Sequence, residues 1–268
     1  MVESLKELNR ICQKPRYRET GNWMVRNILR DLALPITWLL LHTPVTAHQV
    51  TTASLIIAVG GIALFAVESP AAFFIGALLL QLWYLLDHVD GQIARYRKTA
   101  SLSGRFFDFL THHIVHTCVF FALGLYAYGE TGSFFYVIAG FLSALGIAVF
   151  NLINDTKCKT FIEKIDSAKE IQVKPEETQE VQSPETRVSS NSARRIFSIL
   201  HKLCEIHVLM NLLTLAAILD MFLPETEIRM PVFWFYGSAA VLLAVAKAAY
   251  LIRTGKIDSE FNSRYSAH

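Results

Sequence analysis

The sequence predicts an all-α integral membrane protein, with six transmembrane helices behind an N-terminal amphipathic surface helix. Three observations predict it. Apolar residues make up 53% of the 268 positions and mean hydropathy is positive, too apolar for an ordinary soluble domain of this length. Those residues gather in runs of about 17–25, the length that crosses the hydrocarbon core of a bilayer. The basic residues concentrate in alternate connections between the runs, the pattern of a chain with a fixed orientation in its membrane. Span length argues against a soluble bundle of very apolar helices.

Taken in order, residues 1–49 read as a cytoplasmic, interfacial segment. Within it, 5–42 mixes Trp23, Met24, Ile28, Leu32, Leu34 and Ile36 with Arg26 and Arg30, as a helix lying in the headgroup layer does. Pro35 is placed to kink it. Transmembrane helices 1–4 occupy 50–154, with apolar runs near 50–67, 70–87, 109–128 and 133–153. Gly60-Gly61, Gly140, Ala144 and Gly146 suit close helix packing in lipid. Residues 155–205 follow as a cytoplasmic insertion. Its stretch 166–192 is rich in Glu, Lys, Gln, Ser and Pro, lacks aromatics and predicts flexibility. The basic "ARRIFSILHKLCE" after it predicts a second surface helix. Helices 5 and 6 lie within 206–252, near 206–223 and 231–252, and 253–268 is a cytoplasmic tail. No internal repeat points to an inverted-repeat transporter.

The N-terminal segment, the connection around Arg95, Arg97, Lys98 and Arg105, the long insertion and the tail hold nearly all the basic residues. The alternate turns hold one Arg between them. This predicts a multi-pass protein with both termini in the cytoplasm and a site facing the same side. The small positive net charge reflects that bias and does not argue for nucleic acid. Cys12, Cys118, Cys158 and Cys204 show no metal-binding spacing and read as buried or reduced thiols. The polar, charged N-terminus does not read as a cleavable signal peptide.

One constellation carries chemistry. Asp87-x-x-Asp90-Gly91-x-x-Ala94-Arg95 is followed, after eight residues, by Gly104, then Asp108 and His112. Carboxylates three apart share a helix face, as do Asp108 and His112 at a spacing of four. Two facing helices carrying these pairs would aim three carboxylates and an imidazole into one small volume. So much negative charge at a membrane boundary is unfavourable unless cations neutralise it. The residues therefore predict a metal-dependent site that handles phosphates.

The pattern resembles the signature of the CDP-alcohol phosphotransferase family, the integral-membrane enzymes of phospholipid headgroup synthesis. That signature is two Asp three apart, a Gly directly after, Ala-Arg, a spacer, Gly, and two more Asp four apart. Every position fits except the last, where His112 stands for the Asp that the family uses as general base. The approach "TPVTAHQVTTASL" also resembles the family's Thr-Pro-Asn-x-x-Thr, with His48 where Asn is usual and Thr51 retained. A helix cap by Thr46 explains that stretch nearly as well.

The resemblance implies transfer of a substituted phosphate from a CDP-linked lipid or alcohol donor to an alcohol acceptor, with release of CMP. It implies a homodimer in the bilayer and places Gly91, Arg95 and Ser101 on the cytidine diphosphate. Gly91 and Gly104 let a nucleotide approach the backbone, Ala94 keeps that face shallow, Arg95 suits a phosphate or else snorkels to the interface, and Ser101 reads equally as an ordinary loop hydroxyl. Asp87, Asp90 and Asp108 are the expected ligands of Mg2+ or Mn2+, as one or two ions. His112 leaves three outcomes open. It is a better-matched base near neutrality than Asp, beside one magnesium. It is an imidazole ligand that favours a softer metal such as Zn2+. Or the site binds without reacting.

His116, one turn on, orients His112 or pairs within the bundle, and His113 reads as structural. Lys247 reads either as an acceptor-phosphate contact or as a snorkelling side chain near the end of its span. Asn151, Asn154, Asp155, His207 and Asn211 are further polar groups near helix ends, and Asp220 reads as a solvated end residue. A catalytically silenced relative that binds nucleotide or lipid is the main alternative. A transporter is the weaker one, since a transport path has no need of the Gly-Ala-Arg pattern.

Overall fold

A computed structural model describes residues 2–13, 23–172, 202, 205–223 and 228–265. The described residues form helices and connections, with no strand among them. In chain order the helices are α1 (Leu5–Cys12), α2 (Arg30–Leu41, entered through a π-helical turn at Val25–Leu29), α3 (Ala47–Phe65), α4 (Pro70–Tyr96) and α5 (Leu102–Thr131). They continue as α6 (Phe135–Gln172), α7 (Ile206–Phe222), α8 (Arg229–Thr254) and α9 (Lys256–Tyr265). Helices α3, α4, α5, α6 and α8 are long and apolar enough to cross a membrane, and α7 is an apolar helix of 17 residues. The all-α membrane architecture read from the sequence stands.

Local chemistry sets the ends. Thr46 and Gln49 form a reciprocal capping box at the start of α3, so the cap reading of this stretch holds. Ser69 caps α4 with Pro70 in its first turn, and Ser101 caps α5 by accepting from the Gly104 N–H at 3.0 Å. Gly132, at φ 67°, ends α5 in the left-handed conformation that favours glycine.

Packing relies on close backbone approach. A Cβ built on Gly76 would lie 2.5 Å from the Gly61 carbonyl oxygen, so α3 and α4 cross in near contact. A Cβ on Gly124 would lie 2.6 Å from the Gly140 Cα, and one on Gly146 2.9 Å from the Val241 Cα, which brings α6 against α5 and α8. Small residues permit this where lipid gives helices no hydrophobic drive to associate. Gly60 meets nothing within 4 Å and plays no such part.

Three differences from the sequence reading have physical causes. The expected single surface segment 5–42 is two helices, α1 and α2, and α2 runs through Pro35. Residues 155–172, where a flexible insertion was expected to begin, continue α6 as a helix. That extension is held by α9, through Lys157 Nζ to Glu260 at 3.1 Å and an aromatic cluster of Phe161, Phe261 and Tyr265. The rest of the insertion and most of the second surface helix lie outside the described residues. Finally, Asp220 is buried, not solvated. It accepts from Arg229 Nε and from the Ile228 N–H at 2.8 Å, while Arg229 lies over the rings of Tyr126 and Phe73.

Candidate metal and nucleotide site

The start of α3, the end of α4 and the start of α5 meet at one end of the bundle. The four-residue turn of α4 brings Asp87, Asp90 and Gly91 inward, and α5 answers with Asp108 and His112. His112 Nε2 lies 3.0 Å from Asp87 Oδ1 and 3.4 Å from Asp108 Oδ1. The Asp108 Oδ1 is buried and has no hydrogen-bond partner. Trp83, fully buried, flanks the imidazole with ring centres 5.0 Å apart. His88 Nδ1 is 3.7 Å from Asp87 Oδ2 on the other side.

Ligand atoms of Asp87, Asp108 and His112 all fall within 4.8 Å of one another, the one such group among the described residues. An orphaned buried carboxylate oxygen beside two further donors fits a cation. Asp90 stands apart from this trio. It is buried, and its Oδ2 accepts the Thr51 hydroxyl at 2.5 Å, which explains why a threonine sits at that position of α3.

Beside the acids opens a cleft of about 370 Å³. His48, Thr51, Asp90, Gly91, Ala94, Arg95, Ser101, Gly104 and Asp108 all line it. The three helix ends thus gather every residue expected at the nucleotide. A Cβ on Gly91 would come 3.1 Å from Arg95 Nη1, so the guanidinium lies folded over that glycine. A Cβ on Gly104 would lie 3.3 Å from Ser101 Oγ and 3.6 Å from His48 Cε1, which makes this the narrow wall. His48 also stacks on Phe107, with ring centres 6.4 Å apart. Arg105 joins the lining and adds a cation that the sequence reading counted only as loop charge.

Two expected residues are not brought to the cleft. Lys247 Nζ donates to Asn154 Oδ1 at 2.5 Å and lies 4.0 Å from the Phe150 ring centre, joining α8 to α6. The next residue of α6, Asp155, pairs with His113 at 3.2 Å. His116 packs against Phe120, with ring centres 5.9 Å apart. Neither Lys247 nor His116 lines the cleft.

Sequence reasoning missed the contribution of the N-terminal helices. Arg95 Nε donates to the Cys12 carbonyl at the end of α1, and the Tyr96 hydroxyl donates to Glu3. Cys12 itself is fully buried; burial pushes its thiol up to about 11, so it stays protonated and unreactive near neutrality. Gln92, buried within the signature, bonds α2 at Arg30 and Thr37.

Comparison with known proteins agrees with the geometry. No curated protein is similar enough to count as a match. The sequence model of the family described as CDP-alcohol phosphatidyltransferase matches residues 44–169, a stretch that holds the three aspartates, Gly91, Ala94, Arg95, Ser101, Gly104 and His112. Residues 44–169 therefore resemble a CDP-alcohol phosphatidyltransferase domain, and the match supports assigning the chain to that family.

Proposed function

We propose that this protein transfers a substituted phosphate from a CDP-linked donor to an alcohol acceptor, releasing CMP, as a step of phospholipid synthesis. One observation carries the reading: Asp87, Asp108 and His112 converge beside a cleft that Asp90, two glycines and an arginine line. Family membership supports the reaction class. Donor and acceptor are part of the proposal.

Asp87, Asp90 and Asp108 would hold the divalent ion, Mg2+ or Mn2+ for hard oxygen donors. When bound, it neutralises the diphosphate and stabilises charge on the departing CMP. The chain's own residues supply the rest. The glycine faces admit the diphosphate close to the backbone, and Arg95 pairs with a phosphate through its fork. The acceptor oxygen forms the new P–O bond as the P–O bond to CMP breaks, and the acceptor proton goes to His112. Asp87, at 3.0 Å, orients the imidazole and stabilises it once protonated, as a carboxylate does in a His–Asp pair. The termini and the site face the cytoplasm by charge bias, and the protein works as a homodimer.

A second reading rests on the same contact. His112 occupied by two carboxylates favours a site that binds a CDP-linked lipid without transferring it. Purified protein given labelled CDP-donors and a panel of acceptors, with Mg2+, Mn2+ or Zn2+, separates the two. CMP release dependent on acceptor and metal supports the transferase; donor binding without CMP release under every condition supports the silent site.

A further inference from the structure

Helices α1 and α2 lie before residue 44, outside the matched stretch, yet Gln13 at the end of α1 and Arg30 at the start of α2 line a chamber beside the site. A second chamber of about 160 Å³ adjoins the cleft, where Arg30 of α2 joins Asp87, Asp90, Asp108 and Arg95 in the lining. The place of Arg30 is fixed with care. Gln92 is 1% exposed; its Nε2 donates to the Arg30 carbonyl at 3.1 Å and its Oε1 accepts the Thr37 hydroxyl at 2.7 Å. A buried amide with donor and acceptor both committed is a strong positional lock. It lies two residues after Asp90, so α2 is locked at residue 30 to the very turn that carries the acids.

We propose that Arg30 binds a phosphate oxygen of substrate in this inner chamber. The inference rests on the phosphotransfer reading and adds to it a cation from outside the family domain. Charge balance points the same way. One divalent ion leaves three carboxylates a negative charge in excess, and a diphosphate adds two more, in a setting where uncompensated charge is costly. Arg95 and Arg30 offset two of those charges. A guanidinium also offers paired N–H donors that match two phosphate oxygens, which a simple counter-ion to the carboxylates has no use for. The phosphate belongs either to the donor's diphosphate or to a phosphorylated acceptor.

Calorimetric binding of CDP, and of glycerol 3-phosphate to the CDP-loaded protein, both with Mg2+, tests the proposal on wild type, Arg30→Ala, Arg30→Lys and Gln92→Leu. Arg30→Ala is expected to weaken one of the two ligands roughly 10–100-fold, the loss typical of a charge-assisted contact, with an unchanged Tm. Loss confined to CDP assigns the donor phosphate. Loss confined to glycerol 3-phosphate, with a raised KM for phosphorylated but not neutral acceptors, assigns the acceptor phosphate. Arg30→Lys should recover only part of the loss, and Gln92→Leu should lose affinity for the same ligand to a smaller extent. Unchanged binding of both ligands by folded Arg30→Ala overturns the proposal, and so does full wild-type affinity in Arg30→Lys. Should Arg30→Ala not fold, Arg30→Lys decides alone. A wild type that binds CDP yet releases no CMP sinks the transferase reading, while the two binding measurements still judge Arg30.

Discussion

Two buried acidic sites lie toward opposite ends of the bundle, and the chain treats them differently. At one end Asp220 is closed off: Arg229 and a backbone N–H occupy its oxygens, and Tyr126 and Phe73 cover the arginine. At the other, three aspartates are met by a threonine hydroxyl and the imidazoles of His112 and His88, beside a cleft of about 370 Å³. A buried acid that serves the fold finds its cation within the chain. Acids left to share an open edge await one from outside. On the proposed function, the difference separates structural charge from charge that serves the reaction.

The largest expected effects break the comparison at its functional end. Asp87→Asn, Asp90→Asn and Asp108→Asn should each abolish CMP release while leaving Tm unchanged or slightly raised, because repulsion within a cluster of like charge is relieved. Substantial transfer by Asp108→Asn at saturating metal would remove that residue from the ligand set. His112→Ala should lose about 10²–10⁴-fold in rate, the usual contribution of a general base, and still bind donor. His112→Asp should retain measurable activity. A wild type that transfers nothing and gains transfer on His112→Asp would identify a silenced enzyme.

The opposite end should respond in stability instead. Arg229→Met strands the Asp220 carboxylate and should cost about 3–5 kcal/mol, seen as a large fall in Tm, with the KM for donor unchanged. A shift in donor KM without a fall in Tm would mean that the two ends are not independent. Smaller still, Gly140→Ala crowds the Gly124 backbone and should cost about 1–3 kcal/mol. Orientation is a separate matter: single cysteines at Thr131 and Ser183 should label from opposite sides, and labelling from one side defeats the proposed topology.

Much of this was legible in the sequence, for a definable reason. The signature residues recur at helical spacing on two consecutive helices, so their convergence follows from periodicity and one short connection. Thr51, a turn into α3, needed a third helix to cross the first two, and only the "TPVTAHQVTT" resemblance suggested it. Gln92, Thr37 and Arg30 meet across separations of 55 and 62 residues, and no local pattern marks such pairs. Asp220 was misread because it stands at the end of an apolar run; the partner that buries it stands nine residues on, past "LPETEI". The helical run to Gln172 was hidden by a composition typical of disorder, since α9 lies far away in sequence.

The most direct test of the difference between the two ends is metal-dependent CMP release by the purified wild-type protein. With a CDP-linked donor and a suitable alcohol, release should require Mg2+ or Mn2+, stop on chelation and return when the ion is restored. CMP release that proceeds undiminished in the absence of divalent metal would contradict the account, because the three aspartates would then not act through a bound cation.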